Sequence, residues 1–200
     1  MIATRRGTAI ASTVVAAAVA VGLATSGRAE PADSAKASRE RPRGAVEDCL
    51  GISGFGGGLR EFALRRNLVV GPLALLRAGR TLAYVGSDEG IGNKLFVVVK
   101  GGHRVTLELS RRIRRGAGLG FGFGPNQGEV RLRDTRRVVT FIACRRGEYP
   151  YRSPPRGWPV SGWVGFLIAR SPRCVPLLVW VDDEPTPRRA VVRFGVRDCG

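Results

Sequence analysis

Four cysteines constrain this chain more than any other feature. Three of them stand on apolar runs of β-type composition: VVTFIAC (Val138 to Cys144), CVPLLVWV (Cys174 to Val181) and AVVRFGVRDC (Ala190 to Cys199). A further run, GWVGFLIA (Gly162 to Ala169), lies between the first two, and Cys49 stands ahead of them all, just before the glycine-rich GISGFGGG. Outside the cytoplasm nothing keeps thiols reduced, so four cysteines predict two disulfides. Arithmetic leaves three connectivities open. Geometry prefers one: Cys174 and Cys199 lie almost symmetrically about the turn at Asp182 to Arg189, so a simple hairpin brings them together and leaves Cys49 for Cys144. A zinc site built from all four is the competing reading, but their spacing contains no CxxC knuckle.

The compartment is read from the N-terminus. Arg5 and Arg6 precede TAIASTVVAAAVAVGLAT, Thr8 to Thr25, which carries no charge. A basic start followed by such a run is the pattern of an export signal. The expectation is a signal peptide over residues 1–29, cleaved after Ser26 or Ala29. The alternative is an uncleaved membrane anchor over residues 8–25, a length near the lower limit for spanning a bilayer. The next stretch, EPADSAKASRERPRGA (residues 30–45), is charged and aperiodic and reads as a flexible linker. The folded domain is expected over residues 46–200.

Within that domain the period-2 signal dominates. Lys94 to Leu109 reads KLFVVVK-GG-HRVTLEL, and Val105, Leu107 and Leu109 alternate with Thr106 and Glu108. That alternation marks a half-buried strand, and Gly101-Gly102 predicts a tight hairpin setting Val98 opposite Val105. In the stretch from Arg111 to Gly128, glycine alternates with Ala, Leu and Phe, which suits an edge strand or a core-seeking loop. Glu129 to Arg133 (EVRLR) alternates like a strand, and Gly71-Pro72 interrupts the apolar residues on either side of it. The predicted fold class is all-β: an antiparallel β-sandwich, Ig-like or similar, stapled by disulfides, with a small open barrel as the alternative.

Charge and chemistry come next. The net charge is +17, carried by 30 Arg and only 3 Lys. Such a balance favours anionic surroundings, although arginine pairs are scattered along the chain as a GC-rich genome would produce. The densest cluster is Arg111, Arg112, Arg114 and Arg115, a candidate contact for an anionic cell-envelope polymer or a membrane surface. Export argues against nucleic acid. A single histidine, His103, leaves no His-based metal cluster, and no HExxH, GxSxG or P-loop motif occurs. No cofactor is expected. Asp88-Glu89 and Asp182-Asp183-Glu184 sit beside turn formers and read as turns. Tyr149, Tyr151, Trp158 and Trp163 form an aromatic, proline-rich segment that either offers stacking surfaces for sugars or packs over a sandwich end.

Two resemblances add expectations. The stretch TFIAC (Thr140 to Cys144) followed by Arg145, with Gly102-His103-Arg104 upstream, resembles the cysteine strand and histidine region of sortases. That resemblance implies a transpeptidase using Cys144 and His103. The chain departs from it at Ala143, where that family has threonine, and in a shorter His-to-Cys spacing. More of the chain, from about Leu68 to Cys199, resembles a group of uncharacterised secreted proteins of high-GC Gram-positive bacteria. The matching pieces are VVGPLALL, HRVTLEL, VTFIAC, PRCVPLLVWV and FGVRDC. This second resemblance implies an exported β-rich domain and no activity. The expectation is an exported, non-catalytic cell-envelope binding or structural module, with the transpeptidase as the alternative.

Overall fold

The structure, a computed structural model, describes residues 40–49, 58–83, 92–113, 115–122, 130–148 and 159–199. Ten strands in two five-stranded sheets form a sandwich, with no closed barrel. In chain order they are β1 (Ala45–Glu47), β2 (Leu68–Val70), β3 (Leu73–Leu75), β4 (Gly92–Lys100), β5 (Arg104–Leu109), β6 (Ala117–Gly120), β7 (Val138–Ile142), β8 (Val160–Ala169), β9 (Arg173–Val181) and β10 (Arg188–Phe194). One sheet has the order β1-β7-β5-β9-β10, the other β2-β3-β4-β8-β6. Neighbours are antiparallel except β1, which runs parallel to β7 with Val46 beside Thr140.

The hairpin expected at Gly101-Gly102 does not form. β4 and β5 are both strands, but β4 pairs with β3 and β8 while β5 pairs with β7 and β9. The two glycines turn a corner between the sheets. Gly102 takes φ +78°, and its N–H donates to the Cys144 carbonyl at 3.1 Å. The reason lies in the side chains of β4, which are apolar on both faces. Leu95, Val97 and Val99 enter the central core, where Val105, Leu107 and Leu109 of β5 meet them from the other sheet. Val98 and Phe96 point the other way and pack with Ala74, Leu76 and Val160 beneath Phe62. A strand with two apolar faces is stabilised in a sheet covered on both sides, which an edge-paired hairpin does not supply.

That second apolar layer has its own lid, the 3₁₀ turn Leu59–Phe62. A polar knot holds it. The Asn67 amide donates to the backbone carbonyl of Glu61 at 2.8 Å and to its carboxylate at 3.1 Å, and its oxygen accepts the Arg77 N–H at 2.8 Å. Glu61 and Asn67 are both buried, so each satisfied bond avoids a desolvation cost of about 1–3 kcal/mol.

Elsewhere the local pattern is followed. Gly71, at φ +58°, starts a tight β2–β3 turn, with Pro72 as its second residue. β6 is the glycine-bearing edge strand. A Cβ on Gly118 would collide with the Thr135 side chain, so only glycine lets the 131–137 segment approach. Leu132 and Arg133 of the expected EVRLR strand instead belong to a 3₁₀ turn, Leu132–Asp134. Its geometry is set by Asp134, whose carboxylate accepts the Arg131 N–H at 3.2 Å. Phe141 centres the core, 4.9 Å from the Phe121 ring and 5.2 Å from Trp163.

The cysteines pair as geometry preferred. Cys49 bonds Cys144 and Cys174 bonds Cys199, with Cα–Cα distances of 4.9 and 5.7 Å. The zinc reading is thereby overturned, because all four sulfurs are bonded to one another. Two disulfides point to an oxidising compartment outside the cytoplasm. No helix among the described residues is long and apolar enough to cross a membrane. The expected signal or anchor at residues 1–29 lies outside the described residues.

Candidate functional site

The antiparallel registers send two different sets of turns to the two ends of the sandwich. At one end β5 stops at Leu109, β9 starts at Arg173, β8 stops at Ala169 and β7 starts at Val138. Three arginine-bearing turns meet there. Residues 110–116 hold Arg111, Arg112 and Arg115; residues 131–137 hold Arg131, Arg133, Arg136 and Arg137; residues 170–172 begin with Arg170. Arg114, the fourth residue of the expected cluster, lies outside the described residues.

Backbone hydrogen bonds hold these turns side by side. The Leu109 N–H donates to Arg137 O at 2.9 Å, and Ser110 N–H to Pro176 O at 3.1 Å. Arg170 N–H donates to Gly116 O at 3.0 Å, and Arg136 and Leu119 exchange both bonds at 2.7 and 2.8 Å. Two of the scattered arginine pairs, Arg111-Arg112 and Arg136-Arg137, are thus gathered in space. In these turns the one described carboxylate is Asp134, which serves Arg131 N–H and stands 3.9 Å from Arg133. Among the described residues no carboxylate pairs with Arg111, Arg112, Arg115, Arg136 or Arg137. All five are exposed.

Sequence reasoning found Arg111, Arg112 and Arg115 but missed Arg136, Arg137 and Arg170. They are placed by the backbone bonds Arg136–Leu119, Leu109–Arg137 and Arg170–Gly116, long-range pairings that no local pattern announces.

The opposite end mixes charges of both signs. His103 Nδ1 lies 2.7 Å from Asp182 Oδ2, while Asp182 Oδ1 accepts the Arg104 N–H at 2.8 Å. Asp182 returns its own N–H to Arg104 O at 2.8 Å. Arg104 Nη2 meets Asp183 at 2.6 Å. Burial pushes the Asp182 carboxyl upward and is the largest single influence. The Arg104 N–H, the His103 ring and the neighbouring positive charges together outweigh it and hold the pKa below the ordinary 3.8. This knot explains why Asp182 sits at φ +40°, which aspartate tolerates better than most residues. A cleft of about 470 Å³ lies over it, lined also by Ala143, Arg145 and Glu148.

The transpeptidase alternative draws on this end, and Cys144 does lie beside the 101–104 corner. Its sulfur, however, is bonded to Cys49. A disulfide sulfur is not the thiolate that such a nucleophile requires. Among the described residues no hydroxyl or free thiol hydrogen-bonds His103. Trp163 is buried in the core and donates to Asp48 O at 3.2 Å, so it presents no stacking surface. Tyr149, Tyr151 and Trp158 lie outside the described residues.

No protein-family model matches the chain, and no curated protein matches it.

Proposed function

We propose that this protein is an exported, non-catalytic cell-envelope module that binds an anionic envelope polymer through its arginine-rich end. One observation carries the reading: backbone pairing draws the turns 110–116, 131–137 and 170–172 together, and five of their arginines meet no carboxylate among the described residues. Clustered, exposed guanidinium groups with no carboxylate partner among the described residues repel one another in the free protein and are relieved by a polyanion. The opposite end, where carboxylates and cations alternate, lacks that incentive. Disulfide staples suit a module that works outside the cytoplasm.

The test is binding of the mature domain to a soluble anionic polymer across a salt series. Charge-driven association weakens steeply between about 50 mM and 500 mM salt, as the screening length shrinks. Failure to bind at the lowest salt removes the proposal.

A further inference from the structure

The arginine-rich end is not a smooth surface. Ahead of the first parallel pair of β1 and β7, Ala45 and Val139, lies a groove of about 580 Å³. Arg43 and Gly44 flank it on one side, Arg136 and Arg137 on the other, with Thr135 between. Among the described residues its charged lining is entirely cationic. Both walls are fixed by the backbone. Arg136 is locked to Leu119 by two hydrogen bonds, and the Arg137 carbonyl accepts from Leu109. On the other wall Gly44 packs so tightly on Val138 that a Cβ would collide with its carbonyl oxygen. Arg43 stands 3.8 Å from Glu40, a loose contact with both side chains almost fully exposed. The Thr135 hydroxyl donates to Leu132 O at 2.6 Å, so the side-chain donors left to a ligand among the lining residues are the guanidinium groups.

From this arrangement we infer that the groove seats a phosphate group of a phosphate-linked polymer. The inference rests on the polyanion reading above and sharpens it. Arginines line the groove from two chain segments, Arg43 ahead of β1 and Arg136 with Arg137 ahead of β7. A carboxylate has two oxygens in one plane and is satisfied by one fork. A phosphate is tetrahedral and presents acceptor oxygens toward both walls at once. The groove also continues into a second cationic patch, because the Leu109–Arg137 bond sets the 110–116 turn beside it. A chain with a phosphate at each link therefore meets Arg136 and Arg137 at one link and Arg111 and Arg112 at the next.

The experiment compares long-chain polyphosphate with polyglutamate of equal charge, by calorimetry at low salt, alongside vesicles rich in phosphatidylglycerol. The variant Arg136→Gln/Arg137→Gln is set against Arg145→Gln/Arg146→Gln, which removes the same charge from exposed residues near the opposite end. The expected result is tighter binding of polyphosphate than polyglutamate by the native chain. The first variant then loses about tenfold or more in polyphosphate affinity, the scale of one charge-assisted hydrogen bond. The second loses less than about threefold, the scale of distant screened charges. Unchanged far-ultraviolet circular dichroism certifies the fold of each variant. Equal affinity for both polymers overturns the phosphate seat while leaving the polyanion reading standing. Binding to vesicles but not to polyphosphate overturns it in favour of a membrane surface. No binding to any of the three removes both.

Discussion

The two disulfides close very different lengths of chain, and this sets an order of stability that calorimetry can check. Cys49 and Cys144 are separated by 95 residues, Cys174 and Cys199 by 25. In the chain-entropy treatment a bridge destabilises the unfolded state by an amount that grows with the logarithm of the loop it closes. That gives about 4.7 kcal/mol for the longer loop and about 3.5 kcal/mol for the shorter. The loops do not overlap, so the two contributions should add. The variants are Cys49→Ala/Cys144→Ala and Cys174→Ala/Cys199→Ala. Alanine is chosen because Cys144 is buried and a hydroxyl there would need a partner. For a domain of this size each kcal/mol lowers the midpoint by about 2–4 °C. The first variant should melt roughly 9–19 °C below the native protein and the second roughly 7–14 °C below. The longer bridge also clamps β1, a three-residue edge strand, so its loss should speed amide exchange at Ala45 to Glu47 before global unfolding. Equal losses, or a larger loss from the shorter loop, would refute the reasoning.

Two further perturbations separate core from surface chemistry. Leu107→Ala, at a fully buried position facing β4, should cost about 2–5 kcal/mol by urea denaturation, whereas Val46→Ala on the exposed edge strand should change stability by less than about 0.5 kcal/mol. Asp182 has a folded pKa below 3.8, so its knot stabilises the protein above its unfolded value, and that stability is lost as pH falls through the folded value. Asp182→Asn keeps a residue that tolerates positive φ and should show a smaller loss of stability between about pH 5 and pH 2 than the native chain; identical acid curves would contradict the assignment.

Much of the fold was legible in the sequence because its signals are local. The alternation of Val105, Leu107 and Leu109, the apolar runs of β7 to β10 and the symmetry of Cys174 and Cys199 about their turn each lie within a short window. The corner at Gly101-Gly102 was not legible. A glycine pair allows positive φ whether the chain folds back on its neighbour or crosses to another sheet. The choice is made by long-range partners, Leu73 and Ser161 beside Val99 on one sheet and Val139 and Val179 beside Leu107 on the other. The EVRLR segment shows the same limit. Its alternation is that of a strand, yet Asp134 captures the Arg131 N–H and closes a turn. The candidate site follows suit: Arg111, Arg112 and Arg115 stand out as a run, but Arg136 and Arg137 join them through long-range backbone bonds, Arg136 to Leu119 and Arg137 to Leu109.

The account's functional claim is one of location, and nitrogen–proton correlation spectra recorded during a polyphosphate titration test it most directly. The claim predicts that shifted amides cluster at residues 43–45, 110–116, 131–137 and 170–173, with residues 101–104 and 182–189 at the far end left in place. Shifts spread evenly over both ends, or concentrated beside His103 and Asp182, would contradict it.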